Sequence, residues 1–165
     1  MRDTVRAYIG LGSNLGDRQA HLDFALARLA ELPASRVAAH SPTYRSRPLG
    51  DMDQPDYYNA VAALDTTLPP LELLDALQAI ERAAGRERTG HWAPRTLDLD
   101  LLLYGEAVID HPRLTVPHPG IAARDFVLQP LHDLDPDLVI PAAGTLATLL
   151  ERCPRRGLTR VEAAP

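Results

Sequence analysis

The stretch "PRTLDLDLLLYG", residues 94–105, carries two aspartates inside a run that otherwise has the composition of a buried strand. In a β-strand, side chains at positions i and i+2 point to the same face, about 6.7 Å apart along the chain. Asp98 and Asp100 therefore share one face, while the leucines that alternate with them share the other. Because a carboxylate in an apolar setting is unfavourable unless it is paired, we expect the acidic face to meet a partner.

Two carboxylates on one strand face have two interpretations. They can hold one divalent cation, or a pair of cations about 4 Å apart. Magnesium is the natural candidate because the ligands are hard oxygens, and the only cysteine, Cys153, excludes a cysteine-based zinc site. Alternatively, the charges protect an exposed edge strand from aggregation. The bulky leucines around the pair weigh against this alternative.

The segments on either side of this strand have the periodicities of helices and strands. Apolar residues recur with helical spacing over residues 18–32, preceded by Asp17 as an N-cap, and over residues 69–84, which Gly85 ends. Shorter helices are predicted at residues 124–134 and 145–152. Strands are predicted over the ranges 4–11, 37–45 and 57–66, with 106–109 as a short hairpin partner.

The order strand, helix, strand, strand, helix, strand is typical of a split βαβ arrangement. The sequence therefore predicts an α+β fold, a ferredoxin-like βαββαβ sandwich. The 15 prolines lie mostly between the predicted elements, which indicates long ordered loops on one rim. The last helices form a short C-terminal helical extension, and we expect one domain over residues 1–165.

The charged residues exclude several function classes. The 165-residue chain has a net charge of −5, and all 17 of its basic residues are arginines. Without lysine there is no phosphate loop ending in Gly-Lys-Ser/Thr and no Schiff-base lysine. The negative charge argues against nucleic acid as a partner, and no apolar run of about 18 residues exists to span a membrane. We expect a cytoplasmic monomer that binds small molecules.

An arginine-rich loop, residues 85–95, directly precedes the acidic strand. Its cations, together with Trp92, would suit a polyphosphate beside a metal, because arginine forms bidentate hydrogen bonds with phosphate. The alternative is a solvated loop in which Arg95 pairs with the aspartates. Downstream, "HPRLTVPHPG" at residues 111–120 offers further nucleotide donors, although His118 in such a loop could equally cap the backbone.

A flat heteroaromatic ligand is indicated by "QPDYYNA", residues 54–60. Tyr57 and Asn59 fall on one strand face, where a ring can stack and an amide can bond in the plane. Phe126 could supply a second ring, although strand aromatics often only pack. The glycines of "GLGSNLGD", residues 10–17, fit neither a phosphate loop nor a dinucleotide fingerprint, so we expect them to allow a tight turn at the end of the strand and a close approach to a neighbouring loop.

Together these stretches resemble the 6-hydroxymethyl-7,8-dihydropterin pyrophosphokinase family of folate biosynthesis. The motifs that carry the resemblance are "YIGLGSNLGD", "SPTYRSRPLG", "QPDYYNAV", "HWAPRTLDLDLL" and "RLTVPHP", in family order over nearly the whole chain. The resemblance implies a ferredoxin-like core, transfer of pyrophosphate from ATP to the hydroxymethyl group of a reduced pterin with release of AMP, and dependence on two magnesium ions.

The resemblance also implies roles for individual residues. Asp98 and Asp100 would be the metal ligands and, with Arg86 and Arg95 nearest the transferred phosphates, the catalytic residues. The ATP-binding residues would be Gln78, Arg88, Trp92, Arg113, Thr115, His118 and Arg124. The pterin-binding residues would be Ser46, Pro48, Leu49, Tyr57, Asn59 and Phe126.

Two other classes of protein share some of these features. Polymerase and cyclase domains also place paired aspartates on a strand of a ferredoxin-like sheet, but the net charge and small size argue against a path for DNA. A regulatory module that binds a nucleotide through its arginines would give no reason for two carboxylates on one strand face. Release of AMP that depends on a pterin would separate the three.

Overall fold

A six-stranded antiparallel sheet lies at the centre of the molecule. The structure, a computed structural model, describes residues 3–47, 56–85, 96–154 and 157–161. The strands in these ranges are β1 (Val5–Ser13), β2 (Ser35–His40), β3 (Tyr44–Ser46), β4 (Tyr57–Thr66), β5 (Asp98–Tyr104), β6 (Ile109–His111), β7 (Leu114–Val116), β8 (Val139–Ile140), β9 (Gly144–Thr145) and β10 (Thr159–Arg160). The helices are α1 (Arg18–Ala30), α2 (Pro70–Ala83), α3 (Asp125–Leu134) and α4 (Leu146–Arg152).

The strand order in the sheet is β10-β3-β4-β1-β5, and β2 also pairs with β4. Helix α1 connects β1 to β2, and α2 connects β4 to β5. This is the ferredoxin-like βαββαβ arrangement, so the predicted fold class is confirmed. Within the described ranges, no helix combines the length and the apolar character needed to cross a membrane.

Local chemistry sets the start of α1 and both ends of α2 within one residue of the prediction, whereas α1 ends at Ala30, two residues before its predicted end. The Asp17 side chain accepts a hydrogen bond from the Ala20 amide at 3.1 Å, which satisfies one of the free amides of the first turn of α1. Pro70 is the first residue of α2, where its missing N–H is no loss. Gly85 follows the C-cap with a φ of +84°, a conformation that glycine adopts without strain.

Each face of the sheet has its own apolar core. Alternate residues of β1 belong to different cores: Ile9 packs with α1 and α2 on the first face, and Tyr8 packs with α3 and α4 on the second face. The fully buried Leu22 and Leu77 represent the first core, and Leu128 the second. The C-terminal helices therefore cover the second face of the sheet.

A polar contact ties β3 to α3 on the second face. The Tyr44 hydroxyl donates a hydrogen bond to the Asp133 carboxylate. Burial of the phenol, together with this bond and the nearby negative charge, raises the pKa of Tyr44 to about 12. The hydroxyl therefore keeps its proton and stays a donor at physiological pH, which fixes α3 over the strand that carries Ser46.

Two predicted segments differ from the structure. The strand predicted over residues 37–45 is split into β2 and β3, because Pro42 has no amide to donate and the Ser41 hydroxyl instead accepts from the Val61 amide at 2.9 Å. The segment 106–109 does not pair with β5. Gly105, at a φ of +54°, turns the chain away from the sheet, and β6 pairs with β7 in a separate ribbon.

Candidate active site

The two aspartates lie on the second face of the sheet, at its edge. β5 is the last strand in the order, and Asp98 and Asp100 stand opposite Gly12 and Gly10 of β1. Asp98 is half-buried and Asp100 is exposed, while the alternating leucines belong to the first core. The predicted division into an acidic and an apolar face is confirmed, and the strand is also an edge strand, as the alternative interpretation required.

Gly12 brings the aspartates next to the polar residues of β4. It lies opposite Asp98 on one side and opposite Asn59 on the other. A Cβ atom at Gly12 would lie 3.2 Å from Oδ1 of Asn59 and 3.7 Å from Cδ1 of Tyr57. The glycine thus leaves room for side chains from β4 to extend over β1, toward the acidic pair.

The prediction that the strand ends at residue 11 and turns from Gly12 onward is wrong, whereas Gly10 lies in the strand as predicted. Both lie within β1, which continues to Ser13. The turn comes later, at Gly16, whose φ is +67°. The reason is that β1 pairs with a strand on each side along this stretch, so its backbone stays extended. What Gly10 and Gly12 contribute to the site is therefore the space left by the absence of a Cβ atom, not backbone freedom.

Asn59 is held by a buried hydrogen bond. Its Nδ2 atom donates to Oγ of Ser46 at 2.6 Å, and both residues are buried. Ser46 stands opposite Tyr57, which is half-buried on the same face. With its amide nitrogen bound to Ser46, Asn59 directs its carbonyl oxygen toward Gly12. Of the predicted pterin-binding residues, Pro48 and Leu49 lie outside the described residues.

His118 and Arg124 lie near Asp100. The His118 amide donates to the Leu102 carbonyl at 3.0 Å, and its Nδ1 accepts from the Gly120 amide at 3.1 Å. The neutral ring must therefore carry its proton on Nε2. Burial lowers the pKa of His118; the negative charge of Asp100 opposes this shift, and the positive charge of Arg124 adds to it. His118 is thus a neutral Nε2–H donor at pH 7.

Arg124 contacts both the loop that carries His118 and Phe126, the second aromatic residue predicted to stack on the pterin. Its guanidinium carbon lies 5.8 Å from the centroid of the Phe126 ring. The side chain also packs on Gly120, where a Cβ atom would come within 2.7 Å of Nε. Phe126 is half-buried at the start of α3, against the second core. The structure thus places both predicted rings, Tyr57 and Phe126, on the second face.

The other predicted nucleotide-binding residues lie around the outer edge of β5. Arg113, in the turn between β6 and β7, donates from Nη2 to Oδ1 of Asp75 on α2 at 2.5 Å. Gln78 lies three residues farther along α2, one turn from Asp75 and therefore on the same side of the helix. Thr115 is exposed on β7, which contacts β5. The arginine-rich loop, with Arg86, Arg88, His91, Trp92 and Arg95, lies outside the described residues.

Sequence reasoning missed one buried acid beside the site. Oε2 of Glu81, on α2, accepts a hydrogen bond from the Leu99 amide at 2.9 Å, and Glu81 is 6% exposed. A signal for it was present in the sequence. Glu81 falls four residues after Leu77 and eight after Leu73, so it lies on the otherwise apolar face of α2.

The donor set fits magnesium. Among the described residues, no group of three or more histidines, cysteines or acids converges as a complete metal site. The site instead offers the carboxylates of Asp98 and Asp100 beside two glycines. Magnesium is commonly bound by one or two carboxylates together with water and substrate phosphates, so these residues suit an ion that arrives with a nucleotide.

A family model and several named proteins match most of this chain. Residues 8–136 match the family model for 7,8-dihydro-6-hydroxymethylpterin-pyrophosphokinase (HPPK). The 2-amino-4-hydroxy-6-hydroxymethyldihydropteridine pyrophosphokinase of Pseudomonas aeruginosa is 54% identical over 159 residues, covering 96% of this chain and 98% of that protein. The enzyme of the same name from Haemophilus influenzae is 46% identical over 148 residues, covering 90% and 92%.

Two longer proteins also match. The folic acid synthesis protein fol1 of Schizosaccharomyces pombe is 40% identical over 153 residues, which are 92% of this chain and 21% of that protein. Among solved structures, Plasmodium falciparum HPPK-DHPS, wild type with pterin and p-hydroxybenzoate, superposes with a TM-score of 0.73 at 15% identity. That match covers 92% of this chain and 43% of the Plasmodium chain, and it supports the fold alone.

Proposed function

This chain belongs to the 7,8-dihydro-6-hydroxymethylpterin-pyrophosphokinase family, and from this premise we propose which of its residues bind each substrate. The enzyme transfers pyrophosphate from ATP to the hydroxymethyl group of 6-hydroxymethyl-7,8-dihydropterin, a step of folate biosynthesis. Because AMP leaves, the hydroxymethyl oxygen bonds to the β-phosphorus as the bridge from that phosphorus to the α-phosphate breaks. The hydroxyl proton is released.

The pterin occupies the second face of the sheet beside Gly12. Tyr57 and Phe126 stack on its two sides, and Asn59 bonds to its polar edge. The buried bond from Asn59 to Ser46 supports this role, since it fixes the orientation of the amide and leaves Oδ1 as an acceptor. Pro48 and Leu49, with the backbone near Ser46, complete the pocket.

Asp98 and Asp100 hold two magnesium ions together with the phosphates of ATP. When bound, magnesium supplies positive charge that neutralises the triphosphate and favours departure of AMP. The two carboxylates are fixed on one face by the period of β5, and the face beside them is free of side chains at Gly10 and Gly12. The protein's own contribution is to hold these groups in register for an in-line reaction.

ATP lies across the outer edge of β5. Arg86 and Arg95 are the catalytic arginines nearest the transferred phosphates, and His118 offers its Nε2–H to the nucleotide. The remaining ATP-binding residues are Gln78, Arg88, Trp92, Arg113, Thr115 and Arg124. The ion pair of Arg113 with Asp75 supports a place for Arg113 beside α2 and Gln78.

The chain acts as a single domain over residues 1–165 and as a monomer in the cytoplasm, where ATP is available. Its partners are its two small-molecule substrates, with neither nucleic acid nor membrane involved. The net charge of −5 supports this, because a nucleic-acid path would need a basic surface.

One observation carries the assignment of the site: Asn59 of β4 and Asp98 of β5 flank the same glycine, Gly12 of β1, from its two sides. Since neighbouring strands are about 4.8 Å apart, the backbones at Asn59 and Asp98 are separated by two such spacings, roughly 10 Å, a gap that a pterin ring at Asn59 and phosphates at Asp98 can bridge. The two substrate sites are therefore adjacent, as transfer between ATP and the pterin requires.

The test is AMP release from ATP and magnesium by the purified protein, with and without the pterin. Asp100→Asn keeps the shape of the side chain but removes its charge, and we expect turnover to fall at least about 100-fold. Asp110→Asn, at an exposed position of β6, is the control and keeps wild-type turnover. Wild-type turnover in Asp100→Asn, or AMP release without pterin, would contradict the assignment.

A further inference from the structure

Glu81 makes a buried contact with the strand that carries the acidic pair. Its Oε2 accepts the amide hydrogen of Leu99 at 2.9 Å, across 18 positions of sequence. Leu99 is the residue between Asp98 and Asp100. The carboxylate therefore bonds to the backbone midway between the two proposed metal ligands. It does so on the side of β5 that faces away from β1.

That amide needs an acceptor from outside the sheet. β5 pairs with β1 on one side and is the last strand of the sheet on the other. In an antiparallel pair, alternate backbone groups point away from the partner strand. Leu99 is buried, and a buried amide without an acceptor is strongly disfavoured.

The outer edge of β5 is held at a second point. The Leu102 carbonyl accepts the His118 amide at 3.0 Å. Glu81 on α2 and the loop of His118 thus bond to β5 on either side of Asp100. The contact at Leu102 is backbone to backbone, whereas the contact at Leu99 depends on one side chain and can be altered by a single substitution.

We propose that Glu81 is a positioning residue for the reaction: by binding the Leu99 amide, its carboxylate fixes the backbone from which Asp98 and Asp100 project. This inference rests on the proposed metal-binding role of the two aspartates. Loss of the acceptor leaves β5 free to shift at the edge, so that the carboxylates no longer meet the metal and phosphates together. The described pterin residues lie on β3, β4 and α3 and not on β5, so we expect them to keep their positions.

Two substitutions separate hydrogen bonding from side-chain volume. Glu81→Gln keeps an oxygen that accepts the Leu99 amide, and Glu81→Met removes the acceptor at similar size. Glu72→Met, at an exposed position in the first turn of α2, is the matched control. The measurements are kcat, KM for the pterin, Mn²⁺ affinity in the presence of a non-hydrolysable ATP analogue, and hydrogen exchange of the Leu99 amide.

For Glu81→Met we expect kcat and Mn²⁺ affinity to fall roughly 10–100-fold, the size of effect seen when residues that orient metal ligands are lost. KM for the pterin should stay within about twofold, and the Leu99 amide should exchange faster. Glu81→Gln should restore most of the turnover, the metal affinity and the amide protection. Glu72→Met should match the wild type in all four measurements.

Wild-type turnover and Mn²⁺ affinity in Glu81→Met would overturn the proposal. So would equal losses in Glu81→Gln and Glu81→Met, since the charge and not the hydrogen bond would then be responsible. If Glu81→Met does not fold, Glu81→Gln decides: turnover that follows the protection of the Leu99 amide, with both kept or both lost, supports the proposal, and loss of only one of them overturns it. Failure of the metal assignment itself would be recognised separately, by full activity of Asp100→Asn.

Discussion

Single residues in the site are distinguished by the face of the sheet they occupy. Tyr57 and Tyr58 are adjacent in sequence, yet Tyr57 lies on the second face beside Asn59, and Tyr58 packs against the first core under the guanidinium of Arg18, 4.1 Å from its ring centroid. The period of two in β4 is the cause. This pair allows the stacking role of Tyr57 to be tested against a neighbour of identical chemistry.

Tyr57→Ala should weaken binding of the pterin about tenfold, or about 1.4 kcal/mol, because one stacked ring is lost. The dissociation constant for ATP should change less than about twofold. Calorimetric titration of each substrate measures both values. Tyr58→Ala should lower stability without changing pterin affinity. Equal loss of pterin and ATP affinity in Tyr57→Ala would contradict the division into two adjacent substrate sites.

Strands rely on cross-strand pairs at the end of the sheet away from the site. Asp65 of β4 stands opposite Arg6 of β1 and Arg36 of β2. Arg6 donates to both carboxylate oxygens, at 2.5 and 3.2 Å, and Arg36 donates at 3.3 Å. The hydrogen bond from Arg6, with a smaller contribution from Arg36, lowers the pKa of Asp65. One carboxylate therefore joins three strands.

The lowered pKa predicts the pH range in which this contact is lost. Between the pKa of Asp65 in the folded chain and its unfolded value of about 3.9, the unfolded chain binds more protons. The contribution of Asp65 to stability is thus complete above about pH 4 and disappears as the pH falls toward the folded value. At pH 7 Asp65→Asn should lower the free energy of unfolding by about 1 kcal/mol, since the arginines are exposed.

Urea denaturation of wild type and Asp65→Asn at pH 7, 5 and 3.5 measures this effect. The difference in the free energy of unfolding should be constant from pH 7 to 5 and smaller at pH 3.5. Asp110→Asn provides the comparison for removal of an exposed carboxylate. A difference that stays the same at all three pH values would show that the hydrogen bonds of Asp65 do not stabilise the fold through its charge.

In the whole molecule, the second face of the sheet contributes both to an apolar core and to the candidate active site. One part is a core under α3 and α4, with Tyr8, Val61 and Leu103, and the other part carries the glycines, Asn59 and the two aspartates. The first face is apolar along its length and is covered by α1 and α2. The enzyme therefore needs both pairs of helices, one to close each core, and α3 also carries Phe126 to the site.

This arrangement predicts that both cores unfold together. Leu128→Ala in α3 and Leu22→Ala in α1 each remove a fully buried side chain, so each should lower the free energy of unfolding by about 2–5 kcal/mol. Circular dichroism in urea should show one transition for both variants, shifted to lower urea. A separate early transition in Leu128→Ala alone would show that the C-terminal helices unfold independently of the sheet.

The sequence by itself determined what depends on local periodicity and on local backbone chemistry. The period of two put Asp98 and Asp100 on one face, and it did the same for Tyr57 and Asn59. Asp17 and Gly85 marked helix ends through capping and a positive φ, which involve only nearby residues. The motifs also indicated the family. These features survive because neighbours in sequence remain neighbours in the fold.

The tertiary structure alone decided which separated residues meet. Strand order and register set Asn59 and Asp98 on either side of Gly12, and they brought Glu81 to the Leu99 amide. Register also brought the Val61 amide to the Ser41 hydroxyl, and α3 and α4 became the cover of the second face. No local pattern encodes such contacts, because register and packing are settled by the burial of the whole sheet between its two layers of helices.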